Sequence, residues 1–200
     1  MISAPNLQEL EWVVHGFGLR DSAYPAGITT VKQIHSSIVL PAKGESSREG
    51  DALISNQPGV IVGVRTADCV PILLADPRTR AVASIHAGWR GTAANIVGEA
   101  VAALAANWQT RPEDLHAAIG PSIGACCYEV GPEVARQFGT DGTESVHIDL
   151  PRENEKQLLA LGVRNIWKAE ECTFCAADRF FSFRRERELA GRMISFIGLV

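Results

Sequence analysis

The 200-residue chain carries 19 lysines and arginines against 23 aspartates and glutamates, a formal net charge of −4, with 46% apolar and 21% charged residues. That balance argues against a nucleic-acid binder driven by bulk positive charge, and the apolar content is too high for a disordered chain. The length predicts one domain over residues 1–200, and no apolar run approaches the ~18 residues of a membrane-spanning helix.

Met1 to Glu11 has two glutamates and no basic segment, so no secretory signal is expected. Five cysteines in a chain of this size suggest reduced thiols in a cytoplasmic setting rather than a disulfide framework.

Val13 to Gly18 predicts a short strand running into a Gly-bounded turn, and Ile28 to Leu40 predicts extended chain around Gln33-Ile34-His35-Ser36. Lys43 to Gly50 predicts an exposed turn. Three strands follow, Val60 to Arg65, Val70 to Ala75 and Ala81 to His86. Asp76 to Arg80 is short enough to join the last two as a hairpin. Thr92 predicts the cap of a helix reaching about Asn107, because Ile96, Val97, Ala100, Val101 and Leu104 share one face. Leu115 to Ile119 predicts a strand, Val130 to Phe138 a short helix, and Pro151 to Leu161 a longer one ended by Gly162. Val163 to Lys168 and Arg192 to Leu199 predict closing strands. Neighbouring strands without a regular βαβ alternation indicate an α+β fold.

His35, Cys69 and His86 are the candidate chemical centre. Antiparallel pairing of the hairpin would bring the start of one strand, Cys69, beside the end of the next, His86. Two imidazoles and a thiolate suit Zn2+ with an open fourth position; copper accepts the same donors. The alternative without metal makes Cys69 a nucleophile and His86 its base. Asp68, next to Cys69, is a candidate acid/base or a turn-capping residue.

Arg90, in Gly88-Trp89-Arg90-Gly91 at a predicted helix start, is a candidate anion ligand. Phe180 and Arg185, from the run Phe180 to Arg185, are candidates for stacking a planar ring and holding an anion. Cys172-x-x-Cys175 lacks a second pair at zinc-ribbon spacing. Cys126 and Cys127 are vicinal, and adjacent cysteines rarely share one tetrahedral ion, so an all-cysteine site is disfavoured. His15, His116 and His147 form no visible cluster.

Gln33-Ile34-His35, Asp51-Ala52-Leu53-Ile54, Thr66-Ala67-Asp68-Cys69-Val70-Pro71, His86-Ala87-Gly88-Trp89-Arg90-Gly91, Ile119-Gly120-Pro121, Tyr128-Glu129-Val130-Gly131 and Phe180-Phe181-Ser182-Phe183-Arg184-Arg185 occur in that order. In these segments the chain resembles the laccase-domain, or polyphenol-oxidase-like, family, which is related to multi-substrate purine nucleoside phosphorylases. The resemblance implies mixed β-sheets in a sandwich-like core with flanking helices, and a zinc site at His35, Cys69 and His86. It implies phosphorolysis of adenosine, inosine, guanosine and methylthioadenosine, and hydrolytic deamination of adenosine. Copper-dependent phenol oxidation is the family's older label. Gly16 to Arg20 is similar to the family's early Gly-Phe segment, which makes Arg20 a candidate substrate contact. Only Asp21 to Lys32 separates it from the His35 motif, where members carry a Gly-rich stretch and a helix.

Overall fold

The computed structural model describes residues 1–42 and 48–200, so the middle of the turn expected over Lys43 to Gly50 lies outside the described residues. The strands are β1 (Val13–Phe17), β2 (Ile28–Thr29), β3 (Val39–Pro41), β4 (Ala52–Ser55), β5 (Ile61–Thr66), β6 (Val70–Asp76), β7 (Ala81–Ala87), β8 (His116–Ile119), β9 (Glu129–Val130), β10 (Val146–His147), β11 (Asn165–Lys168) and β12 (Met193–Leu199). The helices are α1 (Pro5–Gln8), α2 (Trp89–Ala93), α3 (Ile96–Trp108), α4 (Pro132–Ala135), α5 (Leu150–Leu161) and α6 (Phe183–Glu186). Among the described residues no helix is long and apolar enough to cross a membrane.

A six-stranded mixed sheet runs β11-β8-β6-β7-β4-β3 and a four-stranded sheet runs β1-β12-β5-β2. Side chains alternate across a strand, and β6 shows what this does. Ile72 and Leu74 belong to the core shared with α3 and α5, while Leu73 and Ala75 belong to the core shared with Phe17, Val62 and Ile197 of the second sheet. Both faces of β6 and β7 are therefore buried along their whole length. Burying each Leu or Ile there contributes about 2 kcal/mol. The expected sandwich with helices on its outer face is the observed architecture.

The β6–β7 hairpin forms as the sequence suggests, with Val70 opposite Ala87 and Pro71 opposite His86. Asp76 closes its turn by accepting from the Arg78 amide at 2.8 Å and the Thr79 hydroxyl at 2.6 Å. This register sets the start of β6 against the end of β7.

The expected Thr92 cap is corrected. Asn95 has φ 56, which breaks the helix into α2 and α3, and its side chain accepts from the Gly98 amide. Asparagine tolerates this left-handed backbone better than most residues. Thr92 instead lies inside α2, where its buried hydroxyl accepts from the Asn154 amide at 3.0 Å. Strand β4 is a further difference: four buried residues in a row carry no alternation to announce them.

Candidate active site

Cys69 immediately precedes β6, and His86 lies near the end of β7. His35 comes from the irregular chain between β2 and β3. The three side chains meet, with one ligand atom from each within 4.8 Å of the other two. Cys69 Sγ lies 4.0 Å from His35 Nε2. The imidazoles stand edge to face with centroids 4.9 Å apart.

Asp51 organises this group. It is fully buried just before β4, and its Oδ1 lies 2.8 Å from His86 Nδ1. The same carboxylate accepts from the amides of His35 and Ser36 at 3.0 and 2.6 Å and from the Ser36 hydroxyl at 2.7 Å. These bonds hold His35 at φ 59, a left-handed conformation that costs a non-glycine residue energy and recurs at functional sites. Gln33 completes the loop: its amide donates to the Arg65 carbonyl and accepts from the Arg65 amide, both at 2.8 Å.

The electrostatics follow from these contacts. Burial works against ionising Asp51, but the His86 hydrogen bond and the Ser36 donors bring its carboxyl down to about 2. Burial likewise disfavours charge on His86, yet hydrogen bonds to Asp51 and Cys69 raise it to about 9. Burial pushes the Cys69 thiol up, and the two imidazoles overcome that and lower it to about 6.

The donor set fits a divalent metal. Asp51 engages His86 through Nδ1 and so directs Nε2 toward the cluster, the usual arrangement of a carboxylate behind a metal-bound imidazole. Gly88 leaves room for the group: a Cβ there would lie 3.0 Å from His35 Cδ2 and 3.1 Å from Cys69 Sγ.

The cluster opens on a cavity of about 690 Å³, of a size that suits a small organic ligand. Six cationic side chains line it, from Lys32, Arg65, Arg90, Arg184, Arg187 and Arg192, together with Trp89, Tyr128 and Phe183. Arg90 stacks on Trp89 at 4.4 Å and Arg184 on Tyr128 at 5.3 Å. Burial is the first cause holding the Tyr128 phenol up at about 12.

Arg90 is on this wall. Its helix α2 has only five residues, so its guanidinium offers more to an anion than the short helix start does. Asp68 also lines the cavity, at φ 91, but its carboxylate accepts from the Thr173 hydroxyl (2.7 Å), the Ser182 hydroxyl (3.0 Å) and the Arg184 amide (2.6 Å). These bonds tie the 169–182 segment and the first turn of α6 to the chain just before β6 and leave the carboxylate engaged.

Three expected contacts are corrected. Phe180 is fully buried in the protein and does not line the cavity. Arg185 points inward, donating to the carbonyls of Thr173 (2.9 Å), Phe174 (2.5 Å) and Phe180 (2.7 Å). Arg20 is also off the wall: it donates to the carbonyls of Ala177 and Phe180, pairs with Glu186 and stacks on Phe181. The turn of α6 explains the exchange. Successive helical residues point ~100° apart, so Phe183 and Arg184 reach the cavity while Arg185 turns away. Sequence reasoning also missed the role of Asp51, whose one signal was a lone acid opening a short apolar run.

The cysteines hold the other surprise. Cys126, Cys127, Cys172 and Cys175 converge, with all four sulfurs within 4.8 Å of one another, although their spacing and the vicinal pair disfavoured an all-cysteine site.

A sandwich with a two-imidazole, one-thiol group on the wall of a cationic cavity defines the class of protein. A family model described as multi-copper polyphenol oxidoreductase laccase matches residues 16–200. A purine nucleoside phosphorylase of Deinococcus radiodurans is 40% identical over 177 residues, covering 84% of this chain and 69% of that protein. A protein named adenosine deaminase RL5, from an unknown prokaryotic organism, is 39% identical over 170 residues, covering 78% of this chain and 64% of that protein. The crystal structure of YlmD from Geobacillus stearothermophilus superposes with a TM-score of 0.86 at 28% identity, covering 98% of this chain and 94% of that one. The chain belongs to this laccase-like family, whose curated relatives bear the names of nucleoside enzymes.

Proposed function

We propose that the chain is a purine nucleoside phosphorylase with a second, hydrolytic activity that deaminates adenosine, and that His35, Cys69 and His86 hold zinc. Convergence of three donor atoms on the wall of a cavity lined by six cations and three aromatic rings supports this most directly. The relatives named above make purine nucleosides the substrate class. Five unpaired cysteines suit a reducing, cytoplasmic setting.

In phosphorolysis a phosphate oxygen forms a bond to the anomeric carbon of ribose as the bond to the purine nitrogen breaks. The electron pair leaves with the purine, which takes up a proton, and ribose 1-phosphate remains. Arg90 and Arg184 are placed to hold the phosphate, since a guanidinium fork matches its oxygens. Trp89 and Phe183 offer faces to the purine, and Tyr128, kept protonated, can donate a hydrogen bond to it. In deamination water adds at the purine carbon bearing the amino group and ammonia leaves. Zinc, when bound, supplies Lewis acidity and lowers the pKa of its water to about 7.

The test is a panel of adenosine, inosine, guanosine and methylthioadenosine with and without phosphate, read by product chromatography alongside metal analysis. Free base should appear only with phosphate, and Cys69→Ala should lose both activities and the zinc held with His35 and His86. Full phosphorolysis by Cys69→Ala with no metal at His35 and His86 refutes the assignment. Stoichiometric alkylation of Cys69 in an active, metal-free enzyme would favour a thiol hydrolase instead. Oxygen uptake tied to stoichiometric copper would favour phenol oxidation, but the ligands speak against several coppers. Among the described residues only His35 and His86 join one ligand group, while His15 accepts from the Ala4 amide and His116 lies against the Asn6 carbonyl.

A further inference from the structure

We propose that Cys126, Cys127, Cys172 and Cys175 bind one zinc ion as a four-thiolate structural site, separate from the His35, Cys69 and His86 group. Zinc–sulfur bonds of about 2.3 Å in a tetrahedron put sulfurs about 3.8 Å apart. Here Cys126 and Cys175 are 3.8 Å apart and Cys127 and Cys175 are 3.4 Å apart. None of these cysteines is in a disulfide.

The backbone explains how vicinal residues share one ion. The amides of Cys127 and Tyr128 both donate to the Gly124 carbonyl at 3.0 Å, a tight turn that gathers Cys126 and Cys127 on one side. The Gly124 amide itself donates to Cys172 Sγ at 3.2 Å, as amides do to metal-bound thiolates. A Cβ on Gly124 would lie 3.4 Å from both Cys126 Sγ and Cys172 Cβ, so this turn packs directly against both cysteine pairs.

The cross-link has a purpose in this fold. Residues 169–182 run without helix or strand between β11 and α6, and a loop of this length is uncommon unless something organises it. Its Thr173 hydroxyl holds Asp68, and its Thr173 and Phe174 carbonyls hold Arg185. The other cysteine pair adjoins Tyr128 on the cavity wall. A zinc ion at the four sulfurs would join the two loops behind that wall. Four thiols lose their protons on binding and nothing is oxidised.

Metal counting on the reduced full-length protein tests this without any nucleoside assay. The parent should bind two zinc ions, and Cys69→Ala one. Cobalt loaded into Cys69→Ala should give the intense thiolate-to-cobalt absorption of a four-sulfur site. Zinc should also slow alkylation of the four cysteines at least tenfold in that variant. Cys172→Ser with Cys175→Ser should keep only the other ion; should it not fold, Cys126→Ser, altered at an exposed ligand, should bind zinc at least tenfold more weakly. Overturning results are Cys69→Ala without zinc, alkylation equally fast with and without it, or a Cys127–Cys175 disulfide in the zinc-treated parent. Each can occur whether or not the nucleoside reading stands.

Discussion

Asp51 and His86 form a buried carboxylate–imidazole pair, Oδ1 to Nδ1 at 2.8 Å, with His86 Nε2 left for the cluster. A partner in this position fixes the tautomer and raises the basicity of a metal-bound imidazole. Asp51→Asn keeps the size and removes the charge. It should weaken zinc binding about 10–100-fold, measured by competition with a chromophoric chelator. It should also cost about 1–3 kcal/mol of stability, because an amide NH2 would face the donors that the carboxylate now accepts from.

His35 contributes a ring and a strained backbone, and the two can be separated. Asparagine adopts φ 59 readily but offers no imidazole. His35→Asn should therefore lose the ion and the activity while the metal-free protein melts within about 0.5 kcal/mol of the parent. His35→Val should unfold earlier by about 1–2 kcal/mol, because a β-branched residue resists positive φ. Thermal melts in chelator check both. Equal stability of the two variants would remove the case for strain at this position.

The arginines divide into those that face the cavity and those that hold the chain. Arg90 is exposed on the wall, so Arg90→Ala should leave stability within about 0.5 kcal/mol. Loss of a charge-assisted contact worth about 1.5–3 kcal/mol should raise the phosphate KM tenfold or more. Arg185→Ala should do the reverse: about 2–3 kcal/mol of stability lost through the freed carbonyls of Thr173, Phe174 and Phe180. Steady-state kinetics with phosphate varied, paired with denaturant melts, separate the two classes.

Phe180 and Phe183 make the same division among the aromatics. Phe180→Ala should cost about 3–5 kcal/mol as a buried aromatic. Phe183→Ala, on a ring 39% exposed at the cavity, should raise the nucleoside KM by an amount near the ~1–3 kcal/mol of a base stacked on an aromatic face. The opposite pattern would return Phe180 to the binding site.

These pairs mark where the sequence stopped being legible. Cys69 and His86 could be brought together on paper because a five-residue turn joins their strands and antiparallel register does the rest. Asp51 contacts His86 across 35 positions, through β4, whose short uniform apolar run has no period to read. Cys126 and Cys175 are 49 positions apart, and both sit in loops, where spacing carries no geometry. Choosing Arg184 over Arg185 required the phase of a four-residue turn, which no pattern in the run sets.

Far from the cavity, His15 predicts a pH dependence. It lies buried in β1, and its Nε2 accepts the Ala4 amide at 2.9 Å, a bond that needs an unprotonated nitrogen. Burial lowers its pKa below 6.5 in the folded chain. In the unfolded chain the imidazole takes a proton near pH 6.5. As pH falls through that value the unfolded state binds a proton that the folded state refuses, so stability drops. Above it both states are neutral and His15 contributes no slope. The loss should stop once pH passes below the folded pKa. His15→Gln retains an acceptor for Ala4 and cannot titrate. Its melting temperature should fall less than the parent's between pH 7 and pH 5, so that the two curves approach each other on acidification. Carboxylate effects are common to both proteins and cancel in the difference. Parallel curves, or an imidazole titration followed by NMR with a midpoint above 6.5, would show that the N-terminal segment does not hold His15 neutral.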